Sequence, residues 1–372
     1  MGPVFYAKIY LNKFNIMGIS SVKIVGSGLI GTSIGLALSQ RGVSILMADS
    51  NPSAASLAQS LVNPGQIFES DHHFDLVVIA VPPSSFHSVI STEASMNPLS
   101  TFVDILSIKT KPQVEVEALG DLASRFIGSH PMAGREVVGA QSARGDLFTG
   151  RSWIICPSQQ SSKNSEDVAR ELIQLCGGVV VRMSAREHDR AMALVSHTPQ
   201  VVASLMAATL KGQESSWFDL IGQGFRDLTR IADSDPQLWS EILSENAPNI
   251  REILAALRTN IETIEEKLDN QKFAHEIIQA GNAARALIPG KHGGAPRKYV
   301  YLHIVIDDKA GQLAAIFNDC ARAQVNIEDV SIEHTPGQNT GLVTLSILEA
   351  KNAEFLEEFL AKEGWKVHLT RK

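Results

Sequence analysis

A chain of 372 residues with 44% apolar and 20% charged residues is long for one hydrophobic core, and at roughly 100–200 residues per domain it should hold two or three. Its net charge of −7 and pI near 5.9 offer no basic surface, so neither nucleic acid nor a membrane is expected as a partner. Three scattered cysteines (Cys156, Cys176 and Cys320) are too few for a disulfide framework or a zinc site and fit a reducing cytoplasm, and no apolar run approaches the roughly 20 residues of a membrane span.

Residues 1–18 contain Lys8 and Lys13 without a continuous apolar core or cleavage-like site, so they read as a disordered tail rather than a secretory signal. Met17 would serve equally well as the start. From 19 to 184, short β-rich runs alternate with helical patterns. Strands are expected at Val22–Gly26, Ser44–Asp49, Asp75–Pro82, Thr101–Ser107, Arg125–His130, Ser152–Pro157 and Val179–Met183. Such alternation predicts an α/β domain built on a doubly wound, mostly parallel sheet of Rossmann type.

The first of these strands runs into Gly26-Ser27-Gly28-Leu29-Ile30-Gly31, a G-x-G-x-x-G turn before a helix. The glycines permit a tight turn, close approach of backbone to a pyrophosphate, and close helix–strand packing. Alone the motif is weak. Here a strand precedes it, a helix follows, and Asp49 stands about twenty residues on, as the dinucleotide fingerprint requires. A carboxylate there accepts from ribose hydroxyls and repels a 2′-phosphate, and Ser50-Asn51 supplies no arginine, so NAD is expected over NADP. Val81 and Pro82, at the end of the third strand, are expected to border the same cofactor.

Ligands of such sheets bind beyond the carboxyl ends of the strands. Ser107 and His130 both lie at expected strand ends, so the nicotinamide should lie near them. A histidine near neutrality is the base that hydride abstraction from a carbinol carbon needs. A metal is the rival use for the histidines. His188 and His197 are nine residues apart on a helical stretch, which at 100° per residue sets them on opposite faces. His72-His73 reads as a solvated turn. No metal site is expected.

Between 185 and 288 every pattern is helical. Ile250, Leu254, Leu257, Ile261, Ile264 and Leu268 repeat in steps of four and three, an a/d seam that fits either intramolecular packing or a dimer interface. Arg226 and Arg230 are i,i+4 neighbours, a repulsion that calls for an anion: either Asp227 or Asp233, or a substrate carboxylate gripped in bidentate fashion. Pro199 interrupts a helix beside Ser196, His197 and Gln200. Residues 289–298 form a breaker-rich linker. The remaining 299–372 follow a βαββαβ order, a ferredoxin-like small domain.

These motifs together resemble the prephenate/arogenate dehydrogenases of tyrosine biosynthesis over about residues 20–350. The blocks that carry the likeness are Gly26–Gly31 with Asp49, Ser107-Ile108-Lys109, Ser129–Gly134, His188-Asp189, Ser196-His197-Thr198-Pro199 and Gly224–Ala232. The resemblance implies NAD-dependent oxidative decarboxylation of prephenate in the cytoplasm. His130 would accept the proton or hydrogen bond of the ring C4 hydroxyl, with Ser107 orienting both. Arg230 would hold a substrate carboxylate; His197 and Ser196 would line the pocket, and Gln200, Arg226, Arg135 and Glu136 would complete the substrate set. Gln200 stands where the family commonly has histidine, and Arg135 where a small or neutral residue is usual, so arogenate stays open as the alternative substrate.

The last 74 residues resemble an ACT domain through Asp308–Leu313 and Val325-Asn326-Ile327, which implies an amino-acid effector, L-tyrosine, at Gly311 and Asn326. A homodimer is expected. Two rivals remain. One is a catalytically idle NAD-binding sensor, disfavoured by the presence of His130, Ser107 and Arg230. The other is a β-hydroxyacid dehydrogenase, whose catalytic lysine is missing from Ala185–Ala208.

Overall fold

The computed structural model describes residues 18–69, 72–134, 139–288, 299–334 and 340–370. The chain enters at β1 (Ser21–Val25), passes through α1 (Leu29–Ser39) to β2 (Ser44–Ala48), and returns by α2 (Pro52–Val62) to the other side of β1 at β3 (Leu76–Ile79). There follow α3 (Pro83–Met96), β4 (Thr101–Asp104), α4 (Thr110–Glu117), β5 (Phe126–Pro131), β6 (Ser152–Cys156), α5 (Lys163–Leu175) and β7 (Val179–Arg182). All seven expected strands are present, in the spatial order β2-β1-β3-β4-β5-β6-β7. The first five are parallel; β6 is antiparallel to β5, and β7 is parallel to β6.

Burial explains the composition of these strands. Every residue of β1, β3 and β4 is buried, because helices cover both faces of the sheet and no solvent side remains for polar residues. Along β3, Val77 and Ile79 pack with Phe86, Ile90 and Phe102, whereas Leu76 and Val78 pack on the opposite face with Ile34, Leu38 and Ile45. Each such side chain contributes about 1.5–3 kcal/mol when fully buried. The strand order reverses between β1 and β3, the point beyond whose carboxyl ends sheets of this kind take their ligands.

The helical segment begins with α6 (Ala185–Met192). Its capping box has Ser184 Oγ accepting from the Glu187 N–H and the Glu187 carboxylate accepting from the Ser184 N–H. A π-helical turn, Ala193–His197, then leads into α7 (Thr198–Ala208). Pro199 accounts for that turn: it lacks an N–H and crowds the carbonyl of Val195 four residues back, so the α ladder widens rather than continuing. Together these form a helical stretch over Ala185–Ala208 that by length and composition alone could cross a membrane, a possibility that counting continuous apolar residues misses. His188, Asp189 and His197 within it are hydrogen-bonded inside the protein. Beyond come α8 (Gln223–Thr229), a 3₁₀ turn Arg230–Ala232, α9 (Pro236–Glu245), α10 (Ala247–Lys267) and α11 (Gln271–Arg285).

The chain divides into two compact units, one through Arg258 and one from Thr259, the boundary falling inside α10. Along that helix Ile250 is buried, Leu254, Leu257 and Ile264 are half-buried and Ile261 is exposed, as is Leu268 just past its end. The second unit contains β8 (Val300–Asp307), α12 (Gln312–Arg322), β9 (Asp329–His334), β10 (Thr340–Ile347), α13 (Ala350–Lys362) and β11 (Lys366–Thr370). Its antiparallel sheet has the order β11-β8-β10-β9, the βαββαβ topology expected. Its core joins Leu302, Ile304, Val343 and Leu345 of the sheet to Ile316, Cys320, Leu356 and Leu360 of the two helices.

Candidate active site

The cofactor crevice is built by glycines with separate tasks. Gly26 has φ +110°, and a Cβ there would lie 2.1 Å from the Ala80 carbonyl oxygen, so only glycine lets the loop cross β3 so closely. A Cβ on Gly31 would lie 2.1 Å from the Gly26 carbonyl oxygen. Gly28 meets nothing within 4 Å: its missing side chain leaves open space at the N-terminus of α1. Beside it Ser27 Oγ is buried with no hydrogen-bond partner among the described residues. An open glycine, an unmatched hydroxyl and a helix N-terminus fit a pyrophosphate. Asp49 follows β2 directly, with its carboxylate accepting from Ser27 N–H at 2.7 Å and Asn51 N–H at 2.9 Å, so it anchors the loop. Leu29 and Ile30 open α1; Ser50 is exposed; Val81 and Pro82 lead from β3 into α3.

A second constellation surrounds the carboxyl end of β4. The strand ends at Asp104 rather than Ser107 because the fully buried Asp104 carboxylate turns inward, where it meets the equally buried Lys109 ammonium and accepts from Ser129 N–H at 2.8 Å. Ser129 Oγ donates to the Asp104 carbonyl oxygen at 2.6 Å and accepts from Trp153 Nε1–H at 3.0 Å. These bonds fix β5, and the next residue along it, His130, projects to the other face. His130 Nδ1 lies 2.9 Å from His188 Nε2, and His188 Nδ1 lies 2.8 Å from an Asp189 carboxylate oxygen. Burial pushes the His130 imidazole well below its ordinary range, and His188, Lys109 and His197 push it further the same way. Burial also lowers His188, against the pull of Asp189. For Asp189, burial would raise the pKa, but hydrogen bonds from His188, Thr110 and Lys109 outweigh it and the group sits below the usual carboxylate range. His130 is therefore held neutral.

His197 faces this cluster from the π-turn. Its position corrects the expectation of opposite faces, since a π-turn rotates less per residue than an α-turn and the 100° phase is lost. Asn246 Nδ2 donates to the Asp189 carbonyl oxygen at 2.7 Å and to His197 Nδ1 at 2.9 Å. His197 must then carry its proton on Nε2, which is buried and unmatched among the described residues, as is Thr198 Oγ1. Burial, reinforced by His188, pushes His197 down to about 4, and Trp239 meets it edge-on with centroids 6.1 Å apart. A neutral acceptor and a neutral N–H donor thus share one site.

The other expected residues fall as follows. Ser107 is half-buried in the loop after β4; among the described residues no hydrogen bond joins it to His130, whose Nδ1 is held by His188. Ser196 is half-buried and Gln200 buried, with Ser234 Oγ donating to Gln200 Oε1 at 3.4 Å. Arg226 is exposed on α8 and Arg230 exposed at the 3₁₀ turn, while the Asp227 carboxylate accepts from Gln223 at 2.7 Å. Arg135 and Glu136 lie outside the described residues. Among those described, no three His, Cys, Asp or Glu side chains gather as a metal site. Asp104 and Asn246 were not foreseen; Lys109 and Asp189 entered only as motif residues, and His188 as a motif residue and a rejected metal ligand.

Two family models match the chain: "Prephenate dehydrogenase, nucleotide-binding domain" over residues 34–182 and "Prephenate dehydrogenase, dimerization domain" over 184–279. The chain is 31% identical to a probable prephenate dehydrogenase, NovF, of Streptomyces niveus, across 92% of this chain and 98% of that one. It is 27% identical to the prephenate dehydrogenase of Bacillus subtilis, across 88% and 91%. Among solved structures, prephenate dehydrogenase from Aquifex aeolicus in complex with hydroxyphenyl propionate and NAD+ superposes with a TM-score of 0.66 at 26% identity, covering 73% of this chain and 99% of that one.

Proposed function

The chain belongs to the prephenate dehydrogenase family, and on that premise we propose that it catalyses the NAD-dependent oxidative decarboxylation of prephenate to 4-hydroxyphenylpyruvate. NAD supplies the hydride acceptor, held by the Gly26–Gly31 loop and Asp49 with Val81 and Pro82 alongside. Around it the protein has three tasks: to bind charge, to orient the ring and to take up a proton. His130 accepts the proton of the C4 hydroxyl as hydride leaves that carbon. Carbon dioxide then departs from the opposite ring carbon, the ring becomes aromatic, and the proton returns to the phenolic oxygen.

The observation that best supports this is the pairing of two neutral imidazoles, His130 half-buried and His197 buried, with opposite roles. His130 can accept, whereas His197 has only an N–H to give, and that N–H suits an oxygen of the substrate. Arg230 supplies the carboxylate clamp, with Arg226 one helical turn before it in sequence; Ser196 and Gln200 flank His197, and Ser107 orients the hydroxyl. A homodimer through the half-exposed seam of α10 fits the match to a dimerisation domain. The segment from β8 onward serves as an ACT-like sensor in which L-tyrosine binds near Gly311, where nothing lies within 4 Å of an added Cβ, and Asn326.

Steady-state NADH formation with prephenate and with arogenate tests the assignment. Prephenate should be preferred, and faster turnover of arogenate would overturn the substrate assignment. Arg230→Ala should raise the KM for prephenate by about 10–100-fold with a modest loss of kcat, because a carboxylate clamp acts on ground and transition states alike. An unchanged KM would remove Arg230 from the site.

A further inference from the structure

We propose that His188 and Asp189 are positioning residues that hold His130 in a single tautomer, with the proton on Nδ1 and the lone pair on Nε2 facing the substrate. This rests on the assignment of His130 as proton acceptor and adds what makes it one. The argument begins at Asp189, whose two oxygens are already committed. Oδ1 accepts from Lys109 N–H and Oδ2 from Thr110 N–H, each at 2.8 Å, so the start of α4 clamps the carboxylate. An ionised carboxylate only accepts. His188 Nδ1, 2.8 Å from Oδ1, must therefore be the protonated nitrogen of that ring.

A neutral His188 then has its lone pair on Nε2. The atom facing it at 2.9 Å is His130 Nδ1, which must donate, leaving His130 Nε2 as the basic nitrogen. When that nitrogen takes a proton, the positive charge is met by His188 and, through it, by the fixed Asp189 carboxylate. The same logic of orientation and tautomer selection operates wherever a carboxylate backs a catalytic imidazole.

Two features argue that the contact was built rather than inherited from helix geometry. Neighbouring residues on an α-helix point about 100° apart and do not ordinarily meet, yet His188 and Asp189 are hydrogen-bonded side chain to side chain. In addition, Asn246 grips the Asp189 carbonyl from α10's preceding cap, so Asp189 is held at both ends. The titratable groups that act on His130 are His188 from α6, Lys109 from the loop after β4 and His197 from the π-turn. None but His188 is hydrogen-bonded to its ring among the described residues.

Nitrogen-15 NMR of the full-length, histidine-labelled enzyme tests the tautomer without any substitution. His130 should show a protonated Nδ1 and a pyridine-like Nε2, and a protonated Nε2 in the wild type would overturn the proposal. Kinetics give the second reading. His188→Phe removes the acceptor and should lower kcat by about 10²-fold or more, with the KM for prephenate and the affinity for NAD within about threefold. His188→Gln offers an amide oxygen to the His130 Nδ1–H and should recover turnover to within about tenfold of wild type. A folded His188→Phe enzyme with wild-type kcat would refute the relay. If His130→Asn abolishes turnover while His188→Phe does not, the relay alone fails; if His130→Asn is itself active, the proton-acceptor assignment fails first.

Discussion

The cofactor loop and the histidine cluster sit at the carboxyl ends of one sheet, but they are assembled in different ways. The loop draws on one stretch, Gly26–Gly31, and a single distant partner, Asp49, which clamps it through Ser27 N–H. The cluster draws on four stretches: Asp104 to Thr110, Ser129 and His130, His188 to His197, and Asn246. In the loop, geometry is dictated by the absence of side chains, so local sequence is enough. In the cluster, geometry depends on which buried polar groups satisfy one another, and that depends on the fold. A local motif should fail locally when altered; a network should fail at a distance, and through protonation.

The largest expected effect belongs to the cluster. His130→Asn removes the acceptor but roughly keeps the shape, so kcat should fall by about 10²–10⁴ while NAD affinity stays unchanged. Rapid-mixing measurement of the hydride step, beside NAD titration of the same variant, checks both halves. Turnover within about threefold of wild type would dissolve the distinction between loop and cluster.

Protonation provides the next test. His130, His188 and His197 are all lowered in the folded protein, His197 to about 4. Below pH 6.5 the unfolded chain takes up protons that these folded imidazoles refuse, so folding loses stability as pH falls. The loss runs from about 6.5 to 4 for His197 and changes by about 1.4 kcal/mol per pH unit for each proton excluded. Asp189, also lowered, extends the loss further into acid, whereas the raised Asp104 opposes it. Urea midpoints should drop between pH 7 and pH 5, and His197→Asn should flatten that slope. A midpoint independent of pH over this range would mean that the histidines are not held neutral.

How far each region could be read from sequence follows from the same contrast. The seven strands of the sheet were legible because central strands buried on both faces are continuous apolar runs. Only their ends shifted, as at Asp104, where an acid that looks like the tail of a strand is its inward-turned lock. The βαββαβ order was legible from alternation in Val300 to Ile306 and the helix face of Ile316 and Cys320. The phase of His197 was not, because a π-turn upstream of Pro199 breaks the 3.6-residue period on which any face assignment rests. Asn246 carried no signal at all: it caps the end of α9, and its role exists only because Asp189 and His197 are folded against it.

Within the loop, fold and function should separate cleanly. Gly31→Ala would put a Cβ against the Gly26 carbonyl, an overlap that the packing must shift to relieve, costing about 1–3 kcal/mol of stability and lowering Tm by several degrees. Gly28→Ala should leave Tm in place, since nothing lies within 4 Å, yet weaken NAD binding by filling the space the pyrophosphate needs. Calorimetric Kd values and melting curves on both variants check this. Wild-type NAD affinity in Gly28→Ala would place the pyrophosphate elsewhere.

The smallest effect is expected at Asp49, where the loop most resembles the cluster, because one side chain both holds backbone and meets the ligand. Asp49→Ser removes the charge that repels a 2′-phosphate and also removes the acceptor for Ser27 N–H and Asn51 N–H. Its NADP-to-NAD ratio of kcat/KM should rise by about tenfold, worth about 1.4 kcal/mol, with some weakening of both cofactors as the loop loosens. Asp49→Asn separates the two tasks, since its amide oxygen can still accept from Ser27 N–H while the charge is gone. If charge sets the preference, Asn should shift the ratio as far as Ser does, with less loss of overall affinity. A shift in Ser alone would assign the preference to loop geometry, and a wild type that already uses NADP as well as NAD would remove Asp49 from specificity altogether.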